Sequence, residues 1–590
     1  MTVADIGPPP PVVLEAPEAL VYANDPVTDN GELTRVTMHG STAEDGRLTS
    51  EWVEVFNCLN EDGGAVAMPS LGGFNLTISL CNEVQVARPD ADGHFLSISP
   101  PEDDSDPNDS FAEVMMYHHV NLVHDYFKNT HGFSELDYPL PALVNVQVKI
   151  DPPLPFFMAG PDGWVSLSNA AFFPREAWRQ FASQFGLPPR DSDSIIFFLG
   201  EQDFAYDSRV IYHEYTHAVV GTARLSVMSV LDQYGLEFSP RSMNEGLADF
   251  FAASLADDPV IGNYVGVMGT GLRDLSIERR CPEHMVDEVH AQGELIGSTL
   301  WEVRETVGAV ETEAIVYLAL EQFTRSTGHA RAAELMLASA ADMGVEIEAQ
   351  VRQIFEARGF GECERSTEYR QFRARTAGLP HLVEGTQTSG FTGLRAGVPA
   401  FKQFYVDVDA DTPAVKLSWR LGAGGQDPFG GGGEVGPLDI SIRKGAPVHL
   451  STTPSLSYTE DSRVQPPLAG DRQDVILAGD CLPEGGGRVH TLFINTGPSQ
   501  LQLMTMDIER LEQIPGDGFV HRCGGEEPAE PGPGADGGAP AADAGAASDA
   551  GVPAPQGDAG PSDAGVPNVD AGGMVPGPDP DAGASADVGL

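Results

Sequence analysis

Two histidines four residues apart, with a glutamate directly after the first, are the residues of this chain best arranged for chemistry: His213-Glu214-Tyr215-Thr216-His217. On a helix, positions i and i+4 share a face about 6 Å apart, so both imidazoles can reach a single tetrahedral ion. Glu214 falls beside that face, where a carboxylate can collect the proton of an attacking water whose pKa a bound zinc has lowered. The chemistry such a trio supports is hydrolysis without a covalent intermediate. Chance supplies this pattern roughly 0.03 times in a chain of this composition.

Two histidines leave zinc too open, so a third protein ligand is required. Downstream, SPRSMNEGLADFFAASLADD offers Glu245, with Ser242 as candidate N-cap of a new helix. The competing reading is a capping box, in which Glu245 reaches back to the backbone of Ser242. Asp249 lies four residues on and shares the helical face of Glu245. A carboxylate there can accept the free ring N–H of a ligating histidine and so set its tautomer. Spacing excludes the HExxHxxGxxH arrangement, because Val220 and Ala223 stand where it needs Gly and His. No Gly-x-Ser-x-Gly occurs to support a serine nucleophile.

The elements that must position these residues can be read from pattern. Asp207 or Ser208 can cap the His213–His217 helix and Gly221 can end it. Upstream, SFAEVMMYHHVNLVHDYFK (110–128) has helical apolar spacing behind Asp109 or Ser110 as cap, with His119 and His124 expected to pack it. TRVTM, EWVEVF, NLTISL, ALVNVQVKI, NAAFF and SIIFF read as strands. From about 385 the alternation in KQFYVDVDA, AVKLSWRL, LDISIRKG, RVHTLFINTG and LQLMTMDIERL, broken by Gly/Pro/Asp turns, reads as a β-sandwich. From Gly524 to Leu590 there is no aromatic, Cys, Lys or Arg, and Ala, Gly, Pro and Asp dominate. Such a segment cannot bury enough apolar area to offset its ordering entropy, and a disordered tether is expected.

The chain has 590 residues and a formal charge of −53. A field of that sign repels phosphate, so nucleic-acid binding is not expected. No run of 18 apolar residues occurs to span a membrane. Six cysteines without a CxxC pair fit disulfides in an exported protein, and adjacency favours Cys58–Cys81, Cys281–Cys363 and Cys481–Cys523. No signal peptide is visible at the start, which fits a cytosolic product or one whose export signal has been removed. Acidic segments Glu102–Asp109 and Asp407–Asp411 leave structural Ca2+ an open question.

In its motifs the chain resembles the fungalysin-like family of thermolysin-type gluzincin metallopeptidases. HEYTH, NEGLADFFA with 27 residues between His217 and Glu245, FAEVMMYHHVNLVHDYF with HGF, SNAAFF, and DEVHAQGELIGSTLWEVRE carry the resemblance. It implies zinc on His213, His217 and Glu245, Glu214 as general base, and Asp249 orienting a ligand histidine. It further implies His290 as a donor to the oxyanion, and backbone from Asn169 and Ala170 to an extended substrate. The chain departs from the pattern at NAAFF, whose aromatics are shifted by one. No tyrosine stands at the spacing thermolysin uses to assist the oxyanion, Tyr234 being only a loose candidate. LDISIRKGAP and the strands around it resemble the bacterial pre-peptidase C-terminal domain.

The expected fold is therefore α+β: a two-lobed gluzincin core with an appended all-β sandwich. Expected boundaries are an extended lead-in at 1–44, a β-rich lobe at 45–206, a helical zinc-binding lobe at 207–375, the sandwich at 385–523 and the tail at 524–590. The expected activity is that of a secreted, monomeric zinc endopeptidase acting on proteins or peptides. A zinc aminopeptidase of the same clan, or an inactive binding or adhesion protein on a peptidase scaffold, are the alternatives.

Overall fold

Asp109 starts the first long helix, α1 (Ser110–His131), its carboxylate accepting from the backbone N–H groups of Phe111 and Ala112, and Gly132 ends it in the left-handed region. The computed structural model describes residues 16–524, apart from 40–45, 61–64, 72–73, 104–105, 152–162, 166–167, 180–190, 267–270, 362, 370–371, 374–380, 387–396, 424–434 and 453–455. The segment expected to be a disordered tether lies, from residue 525 on, outside the described residues, as does the start of the lead-in.

The described chain is mixed α and β. Upstream, a five-stranded sheet has the order Ala170–Phe173, Ser194–Phe198, Leu140–Val146, Val53–Leu59, Asn82–Val84. Its three inner strands run parallel and its two outer strands antiparallel to them. The alternating apolar residues of these strands explain the burial: Val53 and Val55 meet one core, while Cys58, Leu143 and Ile196 meet another. A four-stranded antiparallel sheet, from Ala65–Leu71, Phe74–Leu80, Val148–Asp151 and Trp164–Val165, stands beside it.

Helix α1 packs between the five-stranded sheet and the helix that carries the paired histidines, α2 (Ser208–Val220). His119 links it there, Nδ1 lying 2.8 Å from the Tyr212 hydroxyl and Nε2 3.0 Å from the Tyr22 carbonyl oxygen. His124 stacks on Trp52 at 4.1 Å. Both histidines thus sit in the packing of α1. Helices α3 (Ser239–Ala256), α4 (Val289–Val307), α5 (Ala309–Leu320), α6 (His329–Met343) and α7 (Val345–Arg358) follow. A single cluster of buried apolar side chains runs through all these elements, from Ala19 to Phe401.

The strand-rich C-terminal region begins earlier than alternation suggests, since Ser366–Glu368 already pairs with Gln403–Val408. Two sheets form here. One is built on Gln403–Val408, Gly487–Asn495 and Asp439–Lys444, the other on Leu501–Leu511, Ala414–Ala423 and Arg472–Ala478. Their inward side chains share one buried cluster, with Trp419 and Phe493 edge to face at 5.0 Å. The strand Arg472–Ala478 escaped the pattern reading because Gln473 points inward. Its buried amide accepts from Trp419 Nε1 and from the Leu438 N–H, which makes a polar residue a core residue.

The three cysteine pairs favoured by adjacency are all present, with Cα–Cα separations of 5.2, 5.7 and 4.7 Å. No helix among the described residues is long and apolar enough to cross a membrane.

Candidate metal centre

Helix α2 is buried along all its residues. Asp207 caps it by accepting from the Arg209 N–H at 3.1 Å, and the Gly221 N–H closes it on the His217 carbonyl at 2.9 Å. Its first turn is anchored by the Arg209 guanidinium, held by Asp25 and by Asp258. Three and four residues per turn then bring His213 and His217 to one face.

Helix α3 begins at Ser239 with Pro240 in its first turn, not at Ser242. Proline fits that position because the N–H it lacks has no intrahelical partner there. Ser242 is therefore an interior residue whose hydroxyl faces the Ser239 carbonyl at 3.4 Å, and the expected cap is corrected. The capping-box reading of Glu245 falls with it. Glu245 sits one turn deeper, fully buried, with Oε2 3.4 Å from His213 Nε2 and 3.3 Å from His217 Nε2.

The hydrogen bonds around this trio decide what it can hold. His213 Nδ1 lies 2.8 Å from Asp249 Oδ1. Asp249 also receives the Arg273 guanidinium on both oxygens, at 2.6 and 2.7 Å. Burial would raise the Asp249 pKa, but Arg273 and His213 together hold it well below the usual carboxylate range. An ionised carboxylate only accepts, so the His213 proton belongs on Nδ1. His217 Nδ1 lies 2.8 Å from the Asn244 side-chain oxygen and likewise donates. In the neutral rings both Nε2 atoms are then bare lone pairs, and they face each other at 3.0 Å. Both oxygens of Glu245 meet their polar neighbours only at 3.3–3.4 Å, longer than a strong hydrogen bond. Three buried electron-rich atoms at 3.0–3.4 Å repel unless a cation lies among them. Ligand atoms on one tetrahedral zinc stand about 3.4 Å apart, so the trio fits such an ion.

Three further residues complete the surroundings. Arg241, one turn before Glu245, reaches its other oxygen at 3.4 Å. Glu288 caps α4, accepting from the N–H groups of His290 and Ala291, and the same carboxylate takes His290 Nδ1 at 2.7 Å. That leaves His290 Nε2 toward the centre, 3.4 Å from Glu245 Oε2. Burial disfavours the charged His290 ring, but Glu245 and Glu288 outweigh it and push its pKa up to about 9. A dication on Glu245 would cancel much of that attraction.

One cleft is lined by His213, Glu214 and His290 together with Asn169, Ala170, Arg273 and the apolar Phe204, Val210, Ile261 and Leu272. The sequence-derived site residues thus converge, with Asp249 behind His213. Ala170 belongs to a strand paired, among the described residues, on one side only. Phe198 N–H donates to the Asn169 carbonyl at 2.9 Å. That bond makes Ala170 and Phe197 a pair whose backbone groups point away from each other, so Ala170 presents its N–H and C=O to the open edge. The expectation for Asn169 needs correction: its carbonyl is taken inside the sheet, and only its side chain is left to line the cleft. Tyr234 does not line that cleft; it packs edge to face on His449 of the C-terminal region at 5.5 Å.

Asn244, Arg273 and Glu288 were not foreseen. Asn244 directly precedes Glu245 and Glu288 lies two before His290, so adjacency was the available signal; Arg273, 24 residues from Asp249, had none.

The described residues hold a second group of close ligand atoms, Cys481, His521 and Cys523. The two sulfurs are joined as a disulfide and offer no thiolate. Neither group includes residues of Glu102–Asp109 or Asp407–Asp411. No protein-family model matches the chain, and no curated protein matches it either.

Proposed function

We propose that this protein is a secreted zinc endopeptidase of fungalysin-like, gluzincin type. The observation that carries the reading is the pair of bare Nε2 atoms on His213 and His217 facing Glu245 in a cleft that also holds Glu214. On this reading residues upstream of α2 form one lobe, the helices from α2 onward form the other, and the C-terminal sheets are an appended sandwich.

His213, His217 and Glu245 would hold the zinc, which when bound supplies Lewis-acid polarisation of the scissile carbonyl and acidifies water. Asp249 and Asn244 fix both rings with Nε2 toward the ion. Ala170 would pair its free backbone groups with an extended peptide, as in strand addition. Glu214 takes the proton of the attacking water and passes it to the leaving nitrogen as the C–N bond breaks. In its charged form His290, its Nδ1 held by Glu288, donates from Nε2 to the oxygen that becomes negative. Among the described residues lining the cleft, Glu214 is the only carboxylate, so no second acid offers an anchor for a free α-amine. This favours cleavage within chains over removal of N-terminal residues. Three disulfides and the absence of free cysteines among the described residues support an oxidising compartment.

The test is hydrolysis of casein by the purified chain with its zinc content measured. One zinc per chain, activity abolished by phenanthroline, and an inactive Glu214→Gln that retains zinc are expected. Full hydrolysis by Glu214→Gln would sink the mechanism.

A further inference from the structure

Arg365 is 1 % exposed, yet all five of its guanidinium N–H donors are used. Nε donates to the Phe401 carbonyl at 2.8 Å. One terminal nitrogen reaches Asp232 at 2.6 Å and Glu237 at 2.5 Å, and the other reaches Asp232 at 2.8 Å and the Leu236 carbonyl at 3.1 Å. Asp232 and Glu237 belong to a small hairpin, Val230–Asp232 paired with Gly235–Glu237, that leads directly into α3. Arg365 itself stands at the start of the C-terminal strand region.

That hairpin is pressed against the C-terminal region with no room to spare. A Cβ on Gly235, whose φ is +141°, would stand 2.3 Å from the Ala400 carbonyl oxygen. Gln403 donates to the Tyr234 carbonyl at 3.0 Å, and the Leu450 N–H donates to that of Gln233 at 2.9 Å.

Glu237 is the junction. One carboxylate oxygen takes Arg365, and the other accepts from the buried Gln292 side chain at 2.9 Å. Gln292 is two residues beyond His290 on α4, and Glu237 is eight residues before Glu245 on the path into α3. A displacement of Glu237 is thus felt by α3 and α4, two of the three helices that bring polar groups to the centre.

We infer that Arg365 and Glu237 are positioning residues: they couple the C-terminal β region to the cleft by setting α3, with Glu245, against α4, with His290. The strand region is on this view part of the working site, not a detachable appendage. The inference rests on the proposed peptidase reading for its catalytic consequence, but its structural core stands apart from it.

Three variants of the full chain decide the matter. Glu237→Gln keeps an oxygen for Gln292 but removes the charge that Arg365 holds. Arg365→Met removes the clamp itself. Asp232→Asn weakens Arg365 on the side that does not touch Gln292, and so reports a purely stabilising role. Amide hydrogen exchange is followed in segments 238–246 and 288–296, with kcat and KM on a peptide substrate and zinc affinity by chelator competition.

Glu237→Gln and Arg365→Met are expected to speed exchange in both segments about tenfold, and to lower kcat about tenfold at unchanged KM. Asp232→Asn is expected to change exchange there by less than about twofold, even where it lowers the melting temperature. Unchanged exchange at 288–296 in Glu237→Gln, or the same change in Asp232→Asn, overturns the inference. Should the wild-type chain cleave no peptide, the peptidase reading fails alone and the exchange data still decide the coupling.

Discussion

Gly246 of α3 and Gly293 of α4 meet backbone to backbone. A Cβ on Gly246 would stand 2.3 Å from the Gly293 carbonyl oxygen, and one on Gly293 would stand 2.7 Å from that of Ser242. Gly246 follows Glu245, and Gly293 lies three residues after His290, so this contact sets the 3.4 Å between those side chains. Gly246→Ala must push the helices apart, because backbone cannot yield as a flexible side chain can. A loss of about 1–3 kcal/mol is expected from thermal unfolding, the usual range for overpacking. Peptide hydrolysis should fall more steeply than stability at temperatures where the variant remains folded.

His290 and Glu245 should separate chemistry from metal binding. His290→Ala is expected to lower kcat about 10²–10³-fold while zinc content stays at one per chain. Glu245→Gln should instead lose zinc, since a neutral amide replaces the one anionic ligand. Elemental analysis of the purified variants distinguishes the two outcomes, and zinc loss in His290→Ala would assign that ring to the ligands.

Asn244 and Asp249 touch the histidines from behind. Asn244→Ala frees the His217 ring to adopt the other tautomer, and Asp249→Ala does so for His213. Each is expected to weaken zinc about 10–100-fold in chelator competition. Asp249→Ala should also cost stability, because it leaves Arg273 buried without its carboxylate.

One buried carboxyl group on α1 should contribute stability that is lost as pH rises toward 8. Glu113 on α1 is fully buried, accepts from the Val86 and Ala87 N–H groups, and is pushed by burial up to about 7. The folded state holds its proton more tightly than the unfolded chain does. The contribution of Glu113 is therefore fully present below about pH 4.5 and is lost as pH passes through about 7, amounting to roughly 3 kcal/mol at most. Asp109, raised by burial to about 6, acts in the same sense. Melting temperatures between pH 5 and 8 check this: relative to Glu113→Gln the wild type should lose stability as pH rises, and an identical slope in wild type and variant counts against it.

The sequence by itself determined whatever depends on local period and local chemistry. The i, i+4 histidines, the Asp109 and Asp207 caps, the alternating strands and the adjacent cysteine pairs all follow from neighbours within one element or one loop. Glu245 and Asp249 were legible for the same reason, being one turn apart on α3. Ser242 was misplaced because the Ser-x-x-Glu pattern drew attention past Pro240, the better mark of the helix start.

Tertiary structure alone decided the rest. Which carbonyl on the edge strand stays free depends on the register between Asn169 and Phe198, and no single strand encodes that. Asn244 facing His217, Arg273 clamping Asp249, and Arg365 gripping Glu237 are pairs from 24 to 128 residues apart. Buried polar atoms must find partners wherever the packed helices place them, and His290 reaches Glu245 through the packing of α3 on α4, close at two glycines and braced through Glu237. Periodicity supplied the candidate metal-binding residues, and close packing brought them together.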